Sequence, residues 1–243
     1  MYSHFGTDIL TLNINSSDYS LNYNDMDEVA KINNVSVVSP YKNVNAGVSR
    51  NTVTTSSASI IATNSSYLEV TNTKLAKGRK LSVIDIENKS KVCILGSSIS
   101  STLFNLAEPI GETIQIDGDN YTVIGVLETK GTSMGTNYDN LVLIPFSTAE
   151  YLGADTSINS LYAKVENETN IDLTKSLIEN YIRSTLQIST DYYTVSKQGS
   201  MLEAMEEISG TLSLLLRRNS RNFTCSRWNR SYECNVSFSS RKN

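Results

Sequence analysis

The chain has one histidine, His4, one tryptophan, Trp228, and three cysteines in 243 residues. With its only imidazole at the extreme N-terminus, the body of the protein cannot assemble a Ser-His-Asp triad, a histidine general base or most kinds of zinc site. Cys93 lies in an apolar run and reads as a small core residue rather than a reactive thiol. Cys225 and Cys234 fall in a C-terminal stretch of different composition, so no disulfide framework is inferred. No run of about eighteen apolar residues occurs, so no segment crosses a bilayer as a helix. Residues 1–6 are too short and too polar for a signal peptide. There is no Gly-x-x-x-x-Gly-Lys-Ser/Thr loop, which excludes a P-loop ATPase site within the chain.

What is present is enough for a packed core, since 39% of the residues are hydrophobic and the length allows one or two domains. There are 21 basic and 25 acidic residues. The stretch from Arg217 onward holds seven of the basic residues and one of the acidic, which leaves 14 against 24 and a net charge of −10 for the rest. Such a body repels phosphate backbones, so nucleic acid is not an expected partner. The Asn-x-Ser/Thr triplets at Asn15, Asn34 and Asn64 are what an Asn- and Ser-rich chain produces by chance.

Periodicity gives a coarse order of elements. Residues 9–15 alternate as a strand, residues 25–32 carry helical spacing through Met26, Val29 and Ala30, and residues 35–38 form a second strand that ends before Pro40. Residues 52–63 are β-rich. Later, 159–165 and 192–195 read as strands around an amphipathic helix over 172–186 with Leu173, Leu177, Ile178, Tyr181 and Ile182 facing inward. Between these units, Val92, Ile94 and Leu95 make a short buried strand, Gly96 allows a sharp turn, and Ser97 or Ser98 caps a helix that buries Leu103 and Phe104. Residues 113–116 and 121–124 flank Asp117-Gly118-Asp119-Asn120 as a hairpin.

Candidate chemistry is sparse. Asp117, Asp119 and Glu128 suggest calcium, but Tyr121 and Thr122 stand where an EF-hand needs a ligand and its glycine, and strands flank the loop. A plain turn is the favoured interpretation. The GTSMG stretch at 131–135 could cradle a phosphate, yet opens no helix and is expected to be a mobile loop. Glu128, Asp139 and Glu150 could pair as acid and base, or form a solvated face. Ser97 and Ser133 are the serines weighed for a secreted or surface hydrolase, but neither lies in Gly-x-Ser-x-Gly. A stand-alone extracellular binding protein is the other alternative. No catalytic, cofactor or metal residue is assigned.

Five motifs occur in a fixed order: YLEV at 67–70, LAKGR at 75–79, KVCILGSSISSTLF at 91–104, PIGETIQIDGDNYTVIGVLETKG at 109–131 and LVLIPFSTAEYL at 141–152. Together they resemble the extracytoplasmic core domain of MacB-type, FtsX-like ABC transporter permeases, with weaker similarity over most of residues 6–216. The resemblance implies an α+β fold in which porter-like βαβ units, residues 1–73 and 155–197, are interrupted by an inserted β-rich subdomain, residues 74–154, expected to form a compact lobe with its own sheet. It implies a non-enzymatic module in the cell membrane protein's outer part, which passes ATP-driven motion to a substrate or partner. The implied partners are an ABC ATPase subunit or domain, reached through the missing membrane region, a second permease copy forming a dimer and a periplasmic adaptor protein.

The resemblance also interprets both ends. A chain that reaches GTDILTLNI within a few residues looks like a fragment that has lost a preceding transmembrane helix. Residues 198–216 carry a heptad-like stripe of Met201, Met205, Ile208, Leu212 and Leu215, which packs as a surface helix or, in the family, leaves as a stalk toward a missing membrane segment. Residues 217–243 are expected to be that segment read out of frame. The residues from Arg217 can be encoded AGG AGG AAT AGC AGG AAT, and dropping one base gives Gly-Gly-Ile-Ala-Gly-Ile. Trp228 before Asn229 forces a glycine in the shifted frame, and Tyr232 before Glu233 permits only methionine or threonine. The shifted frame runs for about twenty apolar residues, enough to span a bilayer.

Overall fold

A computed structural model of the protein describes residues 8–16, 18–55, 58–105, 107–133, 135–155 and 157–197. The stalk and out-of-frame expectations for residues 198–243, and with them Cys225 and Cys234, lie outside the described residues.

In chain order the strands and helices are β1 (Ile9–Ile14), α1 (Tyr23–Ala30), β2 (Val35–Val44), β3 (Val48–Arg50), β4 (Val53–Thr55), β5 (Ser59–Thr63), α2 (Tyr67–Val70), β6 (Leu75–Gly78) and α3 (Val83–Glu87). There follow β7 (Val92–Leu95), α4 (Ser97–Phe104), β8 (Thr113–Ile116), β9 (Asp119–Leu127), β10 (Thr132–Ser133), β11 (Thr136–Asn137), β12 (Leu141–Pro145), β13 (Ser160–Val165), α5 (Ile171–Ser184) and β14 (Tyr193–Lys197). The class is α+β, as expected. Twelve strands share one hydrogen-bonded sheet in the order β14-β1-β13-β2-β5-β12-β7-β9-β8-β3-β4, with β6 attached to β9.

The separate sheet expected for residues 74–154 is not found. β12 pairs in parallel with β5, from outside that stretch, and β8 pairs with β3. The element that joins the two halves is β2. Its residues Val35 to Pro40 pair with β13, while Tyr41 to Val44 pair with β5 on the other side. A strand of ten residues is long enough to belong to both neighbourhoods in turn, so one sheet runs through. Pro40, expected to end the strand, instead sits where it changes partner. A missing N–H costs little at such a point, and the Pro40 carbonyl accepts hydrogen bonds from Ser39 Oγ at 3.2 Å and Thr63 Oγ1 at 2.7 Å.

Burial explains the near-continuous apolar runs of the central strands. Ile60, Ala62, Cys93, Leu95, Val142 and Ile144 enter one hydrophobic cluster, and their alternating neighbours Ile61, Ile94, Leu141 and Leu143 enter a second around Tyr67 and Tyr138. A strand buried on both faces has no polar alternation. β13 does alternate, and α5 packs on β14 and adds Ile171, Ile178 and Ile182 to the hydrophobic cluster that holds Leu161, Ala163 and Val165. Leu173 and Leu177, expected to face inward, are 62% and 38% exposed. The buried stripe lies about a sixth of a turn further round, because Thr174 takes a core position by bonding the Asn170 carbonyl and the Asn34 amide.

Two local expectations also change. The helix N-cap is Gly96 itself, with α4 starting at Ser97. The β8–β9 turn is only Asp117-Gly118, both at positive φ (50° and 87°), so Asp119 and Asn120 are already in the strand. That is the two-residue turn whose twist matches paired strands.

Candidate functional site

Close backbone contacts join four of the five motifs in pairs, the first through the Gly96 N–H, which donates to the Leu141 carbonyl at 2.7 Å. A Cβ at Gly96 would lie 2.4 Å from the Asp139 carbonyl oxygen and 2.5 Å from that of Tyr138, so the β7-to-α4 turn can pass beneath residues 138–139 only as glycine. Gly78 and Gly125 mark a second crossing. A Cβ at Gly78 would stand 2.2 Å from the Ile124 oxygen, and one at Gly125 would stand 2.8 Å from the Arg79 oxygen. The Gly-Arg of one motif is thus pressed onto the hairpin of another.

Arg79 extends this junction. Its guanidinium donates to both carboxylate oxygens of Asp85, at 2.6 and 3.0 Å. Asp85 also accepts from the Ser82 N–H at 2.8 Å and returns its own N–H to Ser82 Oγ, which closes a capping box on α3. The Arg79 hydrogen bonds, followed by those from Ser82, hold the Asp85 carboxyl at about 2 although burial opposes ionisation. The Ser-x-x-Asp spacing after Arg79 was the available signal.

The GTSMG stretch forms a small hairpin, β10 paired with β11, rather than an irregular loop. The N–H groups that could face a phosphate, those of Lys130 and Gly131, donate to Asp139 at 2.9 and 3.0 Å. An internal carboxylate therefore occupies the cradle. The Lys130 bond, then those of Gly131 and Ser97, keep Asp139 below the usual carboxylate range. Two candidates, Ser97 and Asp139, are brought together, but a carboxylate stabilised as its anion is a weak base for a hydroxyl. Ser133 lies apart, in β10. Glu150 is ion-paired to Lys89, and Asp119 to Lys91 at 2.9 Å. Among the described residues no three His, Cys, Asp or Glu side chains gather to hold a metal ion.

Lys130 was not foreseen. Its ammonium sits 4.1 Å from the centre of the Tyr138 ring and donates to the Thr71 carbonyl at 2.6 Å and Thr73 Oγ1 at 3.0 Å. Burial lowers its pKa to about 8. Burial also pushes the Cys93 thiol up, which makes it inert at neutral pH.

Among the described residues, open clefts mark the surface. The first, about 700 Å³, is lined by uncharged residues including Asn43, Asn45, Ser59 and Asn137. The second, about 590 Å³, contains Lys74, Glu128 and Lys130. The third, about 500 Å³, lies between α5 and β14. None encloses a small molecule. More telling is the far edge of the sheet, where β1 and β14 are adjacent and antiparallel with Leu10 opposite Lys197. The chain thus enters and leaves this body at one place.

Comparison with known proteins agrees with the motif order. A family model described as the MacB-like periplasmic core domain matches residues 1–181. The macrolide export ATP-binding/permease protein MacB of Rhodospirillum rubrum is 30% identical over 203 residues, which are 82% of this chain and 31% of that protein. The chain spans about a third or less of the length of the curated relatives it matches. Among solved structures, the periplasmic region of MacB from Actinobacillus actinomycetemcomitans superposes with a TM-score of 0.68 at 18% identity, covering 83% of this chain and 94% of that one. The extracellular domain of the noncanonic ABC-type transporter YknZ from Gram-positive bacteria gives 0.64 at 17% identity, covering 77% and 99%.

Proposed function

Because the chain belongs to the family of MacB-like periplasmic core domains, we propose that it is the moving outer part of an ABC-type export permease and performs no bond chemistry itself. The family places it on the extracytoplasmic side of the cell membrane. Among the described residues no helix is long and apolar enough to cross a membrane. The observation that carries the proposal is the pairing of β1 with β14, which brings both chain connections to one edge of the sheet. A domain inserted between two membrane helices needs that arrangement. A displacement applied there passes into β13 and, through β2, into β5 and β12, because one hydrogen-bonded sheet links them.

On this view a cytoplasmic ABC ATPase hydrolyses ATP, the membrane helices carry the motion outward, and this domain moves a substrate or a partner by hinge-type displacement. The other partners are a second permease copy and a periplasmic adaptor protein. The relatives are named for macrolide export, which makes a macrolide the first substrate to try. The test uses the membrane-embedded permease with its ATPase in vesicles, with and without residues 8–197. Loss of macrolide transport with retained ATP hydrolysis is expected. Transport that survives the deletion would refute the role.

A further inference from the structure

Among the described residues the sheet ends at β14, which pairs only with β1. The Asn15 N–H donates to the Tyr192 carbonyl at 2.8 Å, in the register that sets Asn13 opposite Thr194 and Leu12 opposite Val195. In an antiparallel ladder, bonded pairs alternate with unbonded ones. Thr194 therefore bonds toward β1, while the backbone N–H and C=O groups of Tyr193 and Val195 point away from the sheet and meet no partner among the described residues. Neither a proline nor a bulge interrupts β14, and these are two of the devices that close such an edge.

α5 turns this edge into a groove. The side chains of Tyr193 and Val195 are buried, and the Tyr193 hydroxyl donates to the Glu179 carbonyl at 3.3 Å. The helix thus lies on the sheet face next to the open edge, and the cleft of about 500 Å³ between them is lined from both sides. Its α5 wall is polar, with Ser176 and Asn180 in one row and Lys175, Glu179 and Arg183 in the next. The five residues of β14 span ~17 Å, which sets the length of the groove.

Backbone and charge select the occupant. A helix bonds its own N–H and C=O groups internally and cannot answer the row left by Tyr193 and Val195, whereas an extended segment can. Lys175 stands 3.7 Å from Glu179, but Arg183 forms no ion pair among the described residues, so the wall keeps a positive charge to be matched. We propose that the groove between β14 and α5 docks an extended segment of a partner protein, which adds a strand beside β14 and sets an acidic side chain against Arg183. The site goes beyond the transport role and does not rest on it.

The test is an NMR titration of the full chain with the blocked peptide Thr-Glu-Thr-Val-Thr-Glu-Thr, up to about 1 mM, the range of weak affinities. The Tyr193 and Val195 amides should exchange freely in the chain alone and several-fold more slowly with the peptide, while Thr194 is protected throughout. N-methylation of every second peptide residue should abolish binding for one of the two alternating sets and spare the other, because only one edge of a strand pairs. Arg183 is exposed, so Arg183→Glu should melt like the parent. It should bind the peptide roughly tenfold more weakly, and a peptide with lysine in place of both glutamates should recover the loss. Four results each overturn the site: no binding at about 1 mM, equal binding of both N-methylated sets, indifference to Arg183→Glu, or Tyr193 and Val195 amides already protected in the chain alone. The last would mean that another part of the chain or a second copy closes the edge. None of these results bears on transport, which the deletion of residues 8–197 tests separately.

Discussion

Single side chains here can be ranked by what surrounds them. Asp85 is 6% exposed and titrates at about 2, below its ordinary 3.8, because Arg79 and Ser82 stabilise its anion. A depressed carboxylate contributes stability that is complete above the unfolded value and is lost as pH falls through the folded one. Asp85→Asn is therefore expected to cost about 1–3 kcal/mol at pH 7 and to flatten the fall in stability between about pH 4 and pH 2. Urea unfolding of both proteins at pH 7 and pH 3 checks this, and parallel acid limbs would contradict it. Lys130 is depressed too, but because burial disfavours its charged form. Its folded pKa of about 8 lies below the ordinary 10.5, so the unfolded chain holds the proton to higher pH and the group's contribution to stability rises between those values. The Lys130 side-chain NMR signal should titrate near 8, and a midpoint above 10 would show that the ammonium is well solvated. Gly96→Ala should cost about 1–3 kcal/mol through forced displacement of residues 138–139. Gly47→Ala should be harmless, since nothing lies within 4 Å of its Cβ position.

At the scale of elements, α5 separates two kinds of apolar residue that sequence periodicity merges. Ile178 and Ile182 are 1% and 0% exposed, and truncating either to alanine is expected to cost about 2–5 kcal/mol. Leu173→Ala and Leu177→Ala should each change the stability of the monomer by less than about 0.5 kcal/mol. Chemical denaturation measures both. Equal losses at the four positions would mean that the helix is rotated from the orientation described. The distinction was not legible in the sequence because a leucine at i and i+4 fits an inward stripe equally well. Thr174 decides it, by satisfying its hydroxyl internally and occupying the place an apolar residue would take. The β8–β9 hairpin was legible, since Asp-Gly between two β-branched runs specifies its own turn.

For the whole molecule, the continuous sheet bears on cooperativity. One hydrophobic cluster includes Leu12 and Val195 from one end and Ile114 and Ile116 from the other, and β2 is hydrogen-bonded into both halves. Residues 8–197 should unfold in a single transition, with tyrosine fluorescence and far-UV circular dichroism giving coincident curves. Two resolved transitions would show that the 74–154 region is a separate lobe despite the shared sheet. At the motif junction Asp85, Asp119 and Glu150 each have a cationic partner, so the net charge of −10 outside the tail is carried by other residues.

The sequence alone determined the family, the α+β class and most element positions. These depend on local pattern: glycines at forced turns, β-branched runs, and motif order along the chain. It also determined that the chain holds no P-loop, because a motif absent from the sequence is absent in any fold. Only the tertiary structure decided that one sheet joins the two halves. That depends on which edge of β2 meets which neighbour, and each neighbour, β13 and β5, comes from a distant part of the chain or from beyond a turn. It likewise decided that Asp139 fills the GTSMG cradle and that burial without a carboxylate partner lowers the Lys130 pKa. Those are properties of neighbours in space, and no spacing along the chain encodes them.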